Sequence, residues 1–259
     1  NGKSKMRSPL QIDSSKALGV IKKIVPENST VTSMLFYDGT IEVPLAHSNR
    51  IVVGRTDSYA VYEFWSNIIT DAVAVSDSVK FLYEKLTEPE LYLLQDNWLS
   101  YKRDIERSSF FYILNRCSDI NYASHGKINK KSLNRYNISS LKRFKLKSLI
   151  PVYDKDANFE ELVANAANTD YILVTPGDYR YNFFDYGQNY GPDMSIVNHK
   201  KIHSTLTKAD SKWILVYNRH PAVFELYKDY NLMMMDEYGN KTKNRERCSE
   251  IIVNNFVSF

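Results

Sequence analysis

Four apolar residues in a row, Tyr171-Ile172-Leu173-Val174, stop at Thr175-Pro176-Gly177, and Asp178 with Tyr179, Arg180 and Tyr181 follow at once. An unbroken apolar run ended by a Pro-Gly turn reads as a strand buried on both faces, the kind found in a parallel α/β sheet. In such sheets ligands collect outside the carboxyl ends of the strands, so the polar and aromatic residues after Val174 mark the first candidate site. The chain has 259 residues, 43% of them hydrophobic, which suits one α/β domain with a smaller insertion.

The remaining elements fit that frame. Leu18, Ile21, Ile24 and Val25 fall on one helical face, and Ser14 or Ser15 is placed to cap it. Residues 31–37 suit a first strand and Asp38-Gly39-Thr40 a tight turn. Residues 50–53 suit a second strand, followed by an aromatic helix from Tyr59 to Trp65. From Asp71 to Trp98 apolar residues recur at threes and fours with a break at Pro89, and residues 110–116 form a further apolar helix. A helix over 194–208 carries His199 and His203 four residues apart. No third ligand has suitable spacing, so no metal site is expected. Strands are expected at 213–217, 233–238 and 249–255.

Charge is distributed unevenly. Between Ile120 and Tyr153 there is no acidic residue and eight basic ones: Lys127, Lys130, Lys131, Arg135, Lys142, Arg143, Lys145 and Lys147. The whole chain is only +4, so the rest is net acidic. Such clustering is the electrostatic footprint of phosphate contacts. Tyr122, Tyr136 and Phe144, with Asn121, Asn129, Asn134 and Asn137, add groups that stack on bases or bond to their edges. A solvated charged face is the alternative for this stretch taken alone. Cys117 and Cys248 are far apart without metal-ligand spacing and read as reduced thiols of a cytosolic protein. No apolar run approaches the ~20 residues of a membrane span, so neither a signal peptide nor an anchor is expected.

The order of motifs resembles the Dam-type DNA adenine-N6 methyltransferases. Arg7-Ser8-Pro9-Leu10 followed by Ser14-Ser15-Lys16 is similar to the family's Ser-Pro-Leu and Gly-Gly-Lys opening, and Phe36-Tyr37-Asp38-Gly39-Thr40 to its Phe-x-Gly-Gly-Gly loop. Thr175-Pro176-Gly177-Asp178-Tyr179 stands where the family has Asp-Pro-Pro-Tyr, and Glu250-Ile251-Ile252-Val253-Asn254-Asn255 resembles its closing strand. The resemblance implies a Rossmann-like S-adenosylmethionine methyltransferase α/β sheet with helices on both faces, built from residues 1–70 and 150–259. A mainly helical target-recognition insertion with a β-hairpin near 121–127 would occupy residues 71–149.

It also implies the site. Thr175, Pro176, Asp178 and Tyr179 would take the base and catalytic positions. Lys16, Phe36, Asp38, Gly39, Arg55 and Asp57 would line the donor S-adenosylmethionine. Asn121, Lys127, Lys130, Lys131, Arg135, Lys142 and Arg143 would meet double-stranded DNA. The register places Arg55 where the family has its ribose-holding Asp, and Asp57 reaches that position only through a bulge. The glycines before Lys16, two glycines around Gly39, the ribose acid and the Asp-Pro-Pro-Tyr string are all altered.

Three readings follow. The first is a DNA-binding protein with eroded donor and base motifs, acting as a non-catalytic or repurposed DNA-modification subunit beside a catalytic or other protein partner, with no cofactor of its own. The second is an active adenine-N6 methyltransferase with variant motifs. The third is a different enzyme using Lys16, Asp38, Arg55 and Asp178 on a phosphorylated or nucleotide substrate.

Overall fold

The computed structural model describes residues 6–155, 158–177 and 198–259. Asp178, Tyr179, the aromatic stretch 183–191 and residues 194–197 of the expected helix lie outside them. Five parallel strands form the centre of the sheet: β1 (Thr30–Met34), β2 (Ile51–Thr56), β3 (Leu149–Tyr153), β4 (Tyr171–Gly177) and β5 (Trp213–Asn218). Beyond them lie β6 (Asn231–Asp236), the short β7 (Lys241–Thr242) and β8 (Cys248–Asn254), and the sheet order is β3-β2-β1-β4-β5-β8-β6-β7. The order 3-2-1-4-5, reversing between β1 and β4, is that of a doubly wound Rossmann-like sheet, with its crevice at the switch point. β8 runs antiparallel between β5 and β6.

Side-chain alternation along each strand divides the core in two. Val31, Leu173, Ile214, Val216 and Ile252 face one side, under α1 (Leu18–Ile24), α2 (Glu42–His47) and α3 (Tyr59–Thr70). Met34, Ile172, Val174, Trp213, Leu215 and Tyr217 face the other, under α8 (Phe159–Asn165), α9 (His199–Leu206) and α10 (Pro221–Leu226). The fold class expected from the sequence, an α/β sheet covered by helices on both faces, is therefore the one observed.

The stretch between α3 and β3 is helical: α4 (Ala72–Lys85), α5 (Glu88–Asn97), α6 (Asp104–Cys117) and α7 (Arg135–Leu141). The break falls at Leu86-Thr87, with Thr87 and Glu90 forming a capping box and Pro89 inside the first turn of α5, where its missing N–H costs nothing. The expected hairpin near 121–127 is reduced to two isolated antiparallel bridges, Ser118 with Ile128 and Tyr122 with His125. Phe110, Phe111, Ile113 and Leu114 of α6 join the same core as Phe64 and Trp65 of α3, so this stretch is packed continuously onto the sheet domain.

Two local expectations fail for tertiary reasons. Neither Ser14 nor Ser15 is the N-cap residue of α1, although the Ser15 hydroxyl accepts the Ala17 amide at 3.2 Å. The N-cap is Ala17, whose amide donates to Glu250 of β8 at 2.8 Å. Arg50 precedes β2 instead of opening it. Its buried guanidinium donates to the carbonyls of Lys22 and Val25 and so closes the carboxyl end of α1. Cys117 and Cys248 are buried free thiols. Among the described residues no helix is long and apolar enough to cross a membrane, and no group of three or more His, Cys, Asp or Glu could hold a metal ion.

Candidate functional site at the carboxyl edge of the sheet

β4 is irregular where it matters. Its pairing with β5 shifts between Val174 and Gly177, so the Thr175-Pro176 step forms a bulge, and Gly177 takes the left-handed backbone (φ 68°). Pro176 has no amide to give to the ladder, and a bulge is where a strand tolerates that. The bulge re-aims Thr175, whose hydroxyl donates to Glu42 Oε1 at 3.3 Å. The same oxygen accepts the hydroxyl of Ser33 at 2.6 Å.

Glu42 sits in the first turn of α2 and is 2% exposed. Burial pushes its carboxyl above the ordinary value, opposed by the Ser33 hydrogen bond, and the charge of Asp38 adds to the rise. Sequence reasoning missed this residue. An acid in a helix's first turn is an everyday feature, and no local signal distinguishes this one.

The loop after β1 is packed by protein. Phe36, expected to line the donor, is instead a core residue. Its ring lies over Gly54 of β2, where a Cβ would come within 2.6 Å, and against Trp65 at 5.1 Å between centroids. Gly39 (φ 68°) owes its glycine to Trp65, since a Cβ there would meet the indole at 2.8 Å. The indole nitrogen donates to Tyr37 O at 2.8 Å, fixing the ring in that place. Asp38 is exposed and turned back on its own loop, its carboxylate accepting the Thr40 amide at 2.9 Å.

The end of β2 corrects the expected register. The strand continues to Thr56, paired with β1 as far as Gly54 and with β3 as far as Thr56, so Arg55 lies inside it and Asp57 is the first residue beyond. No bulge is needed to bring Asp57 to the carboxyl end, where a nucleoside-binding sheet places its ribose acid. Arg55 is instead paired with Asp154, just past β3, at 2.7 Å. Lys16 lies on a strap crossing the same edge. Ser8 Oγ donates to Asp38 O at one end, and Ser15 Oγ donates to Glu250 at 2.8 Å at the other. Lys16 is half-buried and has no ion pair among the described residues.

Of the residues the resemblance implies for a methyl-donor nucleoside, Asp57 stands at the carboxyl end of β2, the position of a ribose acid in a nucleoside-binding sheet. The loop after β1 has one glycine, Gly39, and the face of it turned to the core is packed by Trp65.

The basic stretch is partly committed to structure. Lys130 Nζ donates to Leu86 O at the end of α4 and lies over the Tyr83 ring, so one of its donors caps that helix. Lys142 pairs with Asp77, and Arg135 lies 3.9 Å from Glu84. Phe144 is buried against Trp65 and cannot stack on a base. Lys127, Lys131, Arg143, Lys145 and Lys147 are exposed, as is Tyr136 at 73%. Asn121 is exposed with a left-handed backbone. Tyr122 packs on Tyr37 at 5.2 Å, which sets the 118–128 turn beside the carboxyl edge.

A groove of about 550 Å³ lies at the opposite, amino end of the strands, lined by Glu27, Asp170, Asp210 and Lys212 among others, away from all these groups.

Sheet order and crevice define a Rossmann-like α/β protein. No family model matches the sequence, and no curated protein matches it. Among solved structures the chain is similar to a TehB-like SAM-dependent methyltransferase from Corynebacterium glutamicum (TM-score 0.39, 8% identity, 93% of this chain and 87% of that one). It is also similar to a precorrin 8w decarboxylase from Methanobacterium thermoautotrophicum (0.40, 8%, 97% and 96%) and to the glycopeptide N-methyltransferase MtfA complexed with S-adenosylmethionine (0.39, 8%, 96% and 93%). The fold assignment rests on the strand order and not on these superpositions.

Proposed function

We propose that the chain binds double-stranded DNA, presenting the β4 turn to one of its bases, and does not carry out ordinary adenine methyl transfer. It would act as a non-catalytic or repurposed DNA-modification subunit. The observation that carries this reading is the packing of the loop after β1, where Trp65 lies against Gly39 and Phe36 against Gly54, so the one glycine left in that loop is committed to the core. The DNA partner is supported by the exposed cations Lys127, Lys131, Arg143, Lys145 and Lys147 in a stretch without an acid.

Calorimetric titration with S-adenosylmethionine should give a dissociation constant weaker than about 100 µM, equivalent to less than roughly 5.5 kcal/mol. Fluorescence anisotropy with duplex DNA should show binding that the pair Lys131→Glu and Arg143→Glu weakens. The slope against log salt should shrink by about 0.9 for each phosphate the variant no longer neutralises. Tight donor binding, or DNA affinity indifferent to the pair, overturns the reading.

A second reading, an active S-adenosylmethionine-dependent site-specific adenine-N6 methyltransferase, is favoured by Asp57 standing at the end of β2. Labelled donor incubated with unmethylated DNA decides it, because only this reading puts label on adenine.

A further inference from the structure

The groove at the amino end of the strands is built from three chain segments that approach the sheet separately. Glu27 and Ser29 lie ahead of β1, Asp170 and Tyr171 meet at the start of β4, and Asp210 and Lys212 lie ahead of β5. Because β4 runs between β1 and β5, the segments of Glu27 and Asp210 stand on either side of Asp170, two strand spacings or about 10 Å apart. Three carboxylates against one ammonium leave the groove at −2 in a chain of +4. The end of α8, which has no basic residue in its last turn, leads to the same edge and adds the negative end of its dipole.

Two hydroxyls distinguish this groove from a solvated acidic face. Ser29 and Tyr171 are each 8% exposed, both line the groove, and neither hydroxyl has a hydrogen-bond partner among the described residues. Neither hydroxyl is sealed in the core, so both reach open space, and the groove is the space these two residues share. An unmatched hydroxyl in such a place costs free energy, and its lone pairs suit an N–H of an occupant. Among the described residues no three His, Cys, Asp or Glu converge closely enough for a metal ion, so these carboxylates suit an extended cation with its charges spaced apart. The Tyr171 ring already carries an alkylammonium, Lys212 Nζ at 5.7 Å from its centroid, and so offers such a chain an apolar wall.

We propose that this groove binds a linear alkyl polyamine, its ammonium groups spaced along Glu27, Asp170 and Asp210 and its N–H groups donated to the hydroxyls of Ser29 and Tyr171. The methylene spacers lie along the Tyr171 ring. Lys212 competes for the same carboxylates from within the chain and so moderates the affinity. The site uses nothing at the carboxyl edge, and it stands whether or not the chain binds DNA.

The test is calorimetric titration of the full chain, freed of nucleic acid, with spermidine, putrescine and magnesium chloride. Spermidine should bind with a dissociation constant of about 0.1 mM or tighter, and putrescine, with one charge fewer, about threefold to tenfold more weakly. Magnesium should not saturate the groove in that range. Asp210 makes no hydrogen bond or ion pair among the described residues, and Asp210→Asn should weaken spermidine by about threefold to tenfold. Tyr171→Phe keeps the ring and every charge, and should still weaken it by about threefold to fivefold, a loss that simple ionic attraction would not show. Lys212→Met should tighten binding. Where Tyr171→Phe does not fold, Ser29→Ala makes the same neutral test.

No spermidine binding, magnesium binding as tight as spermidine, an unchanged affinity in the neutral variant, or weaker binding in Lys212→Met overturns the inference. Binding of a short oligolysine peptide with spermidine excluded also overturns it, and would assign the groove to a basic segment of a protein partner.

Discussion

The carboxylate of Glu250, in β8 between β5 and β6, accepts the backbone amide of Ala17 at 2.8 Å and the hydroxyl of Ser15 at the same distance. One side chain from near the end of the chain thus caps a helix near its start and pins the Lys16 strap over the crevice. Glu250→Ala should leave the Ala17 amide with only its longer contact to the Ser15 hydroxyl, 3.2 Å, at a cost of about 1 kcal/mol. Hydrogen exchange at the Ala17 amide should speed up by roughly fivefold to tenfold while amides of β5 keep their protection. Unchanged exchange would show that the strap is held elsewhere.

Phe36 and Gly54 form a second fixed pair. Gly54→Ala would force a methyl into the ring now lying 2.6 Å from the ideal Cβ position, which should destabilise the fold by about 1–3 kcal/mol. Combining it with Phe36→Leu should recover part of that loss, because the smaller side chain can retreat. Urea unfolding of the two single variants and the double variant measures the coupling. Strict additivity would count against the packed loop on which the proposed function depends.

Arg107 of α6 grips Glu63 of α3 through Nε at 2.7 Å and Nη2 at 2.5 Å, and its Nη1 donates to the carbonyls of Tyr101 and Lys102. Glu63 is nearly buried, so removing its partner strands a charge. Arg107→Met should cost about 3–5 kcal/mol by chemical denaturation, whereas breaking the exposed pair Lys228–Glu225 should leave the denaturation midpoint essentially unchanged.

His199 is buried with Nδ1 2.7 Å from the Tyr217 hydroxyl, and burial lowers its pKa from 6.5 to about 3, with His220 adding to the fall. In the unfolded chain it protonates near its ordinary value, so the unfolded state binds more protons between those two limits. The contribution to stability is therefore complete above pH 6.5 and lost as pH falls toward about 3, with a slope of at most about 1.4 kcal/mol per pH unit. Unfolding free energies at pH 6.5, 5.5 and 4.5 should fall less steeply in His199→Phe than in the parent chain. Parallel slopes would mean the imidazole already carries its proton in the fold.

The sheet was legible in the sequence where apolar runs are long. Residues 171–174 and 213–217 are buried on both faces, and burial on both faces is what writes a continuous apolar string. From sequence the end of β2 falls three residues short, because Gly54 and Arg55 interrupt the apolar run before Thr56. All three are held extended by pairing with Pro151, Val152 and Tyr153, a contact the sequence does not display. That shortfall put Arg55 at the expected ribose-acid position, whereas Asp57 is the residue that follows the strand. Lys130 and Phe144 likewise looked like a phosphate ligand and a stacking ring, since type and charge are local properties while engagement with Leu86 O or Trp65 is not.

By itself, then, the sequence determined the α/β class, the candidate crevice at the end of β4 and the acid-free basic stretch, because periodicity, turn chemistry and charge are all written in neighbouring residues. Only the tertiary structure decided that Phe36 and Trp65 fill the loop, that Asp57 ends β2, and that Glu42 stands behind Thr175. Each of those depends on the packing of separate elements, and the energy of a contact depends on the distance between groups in space whatever their separation along the chain.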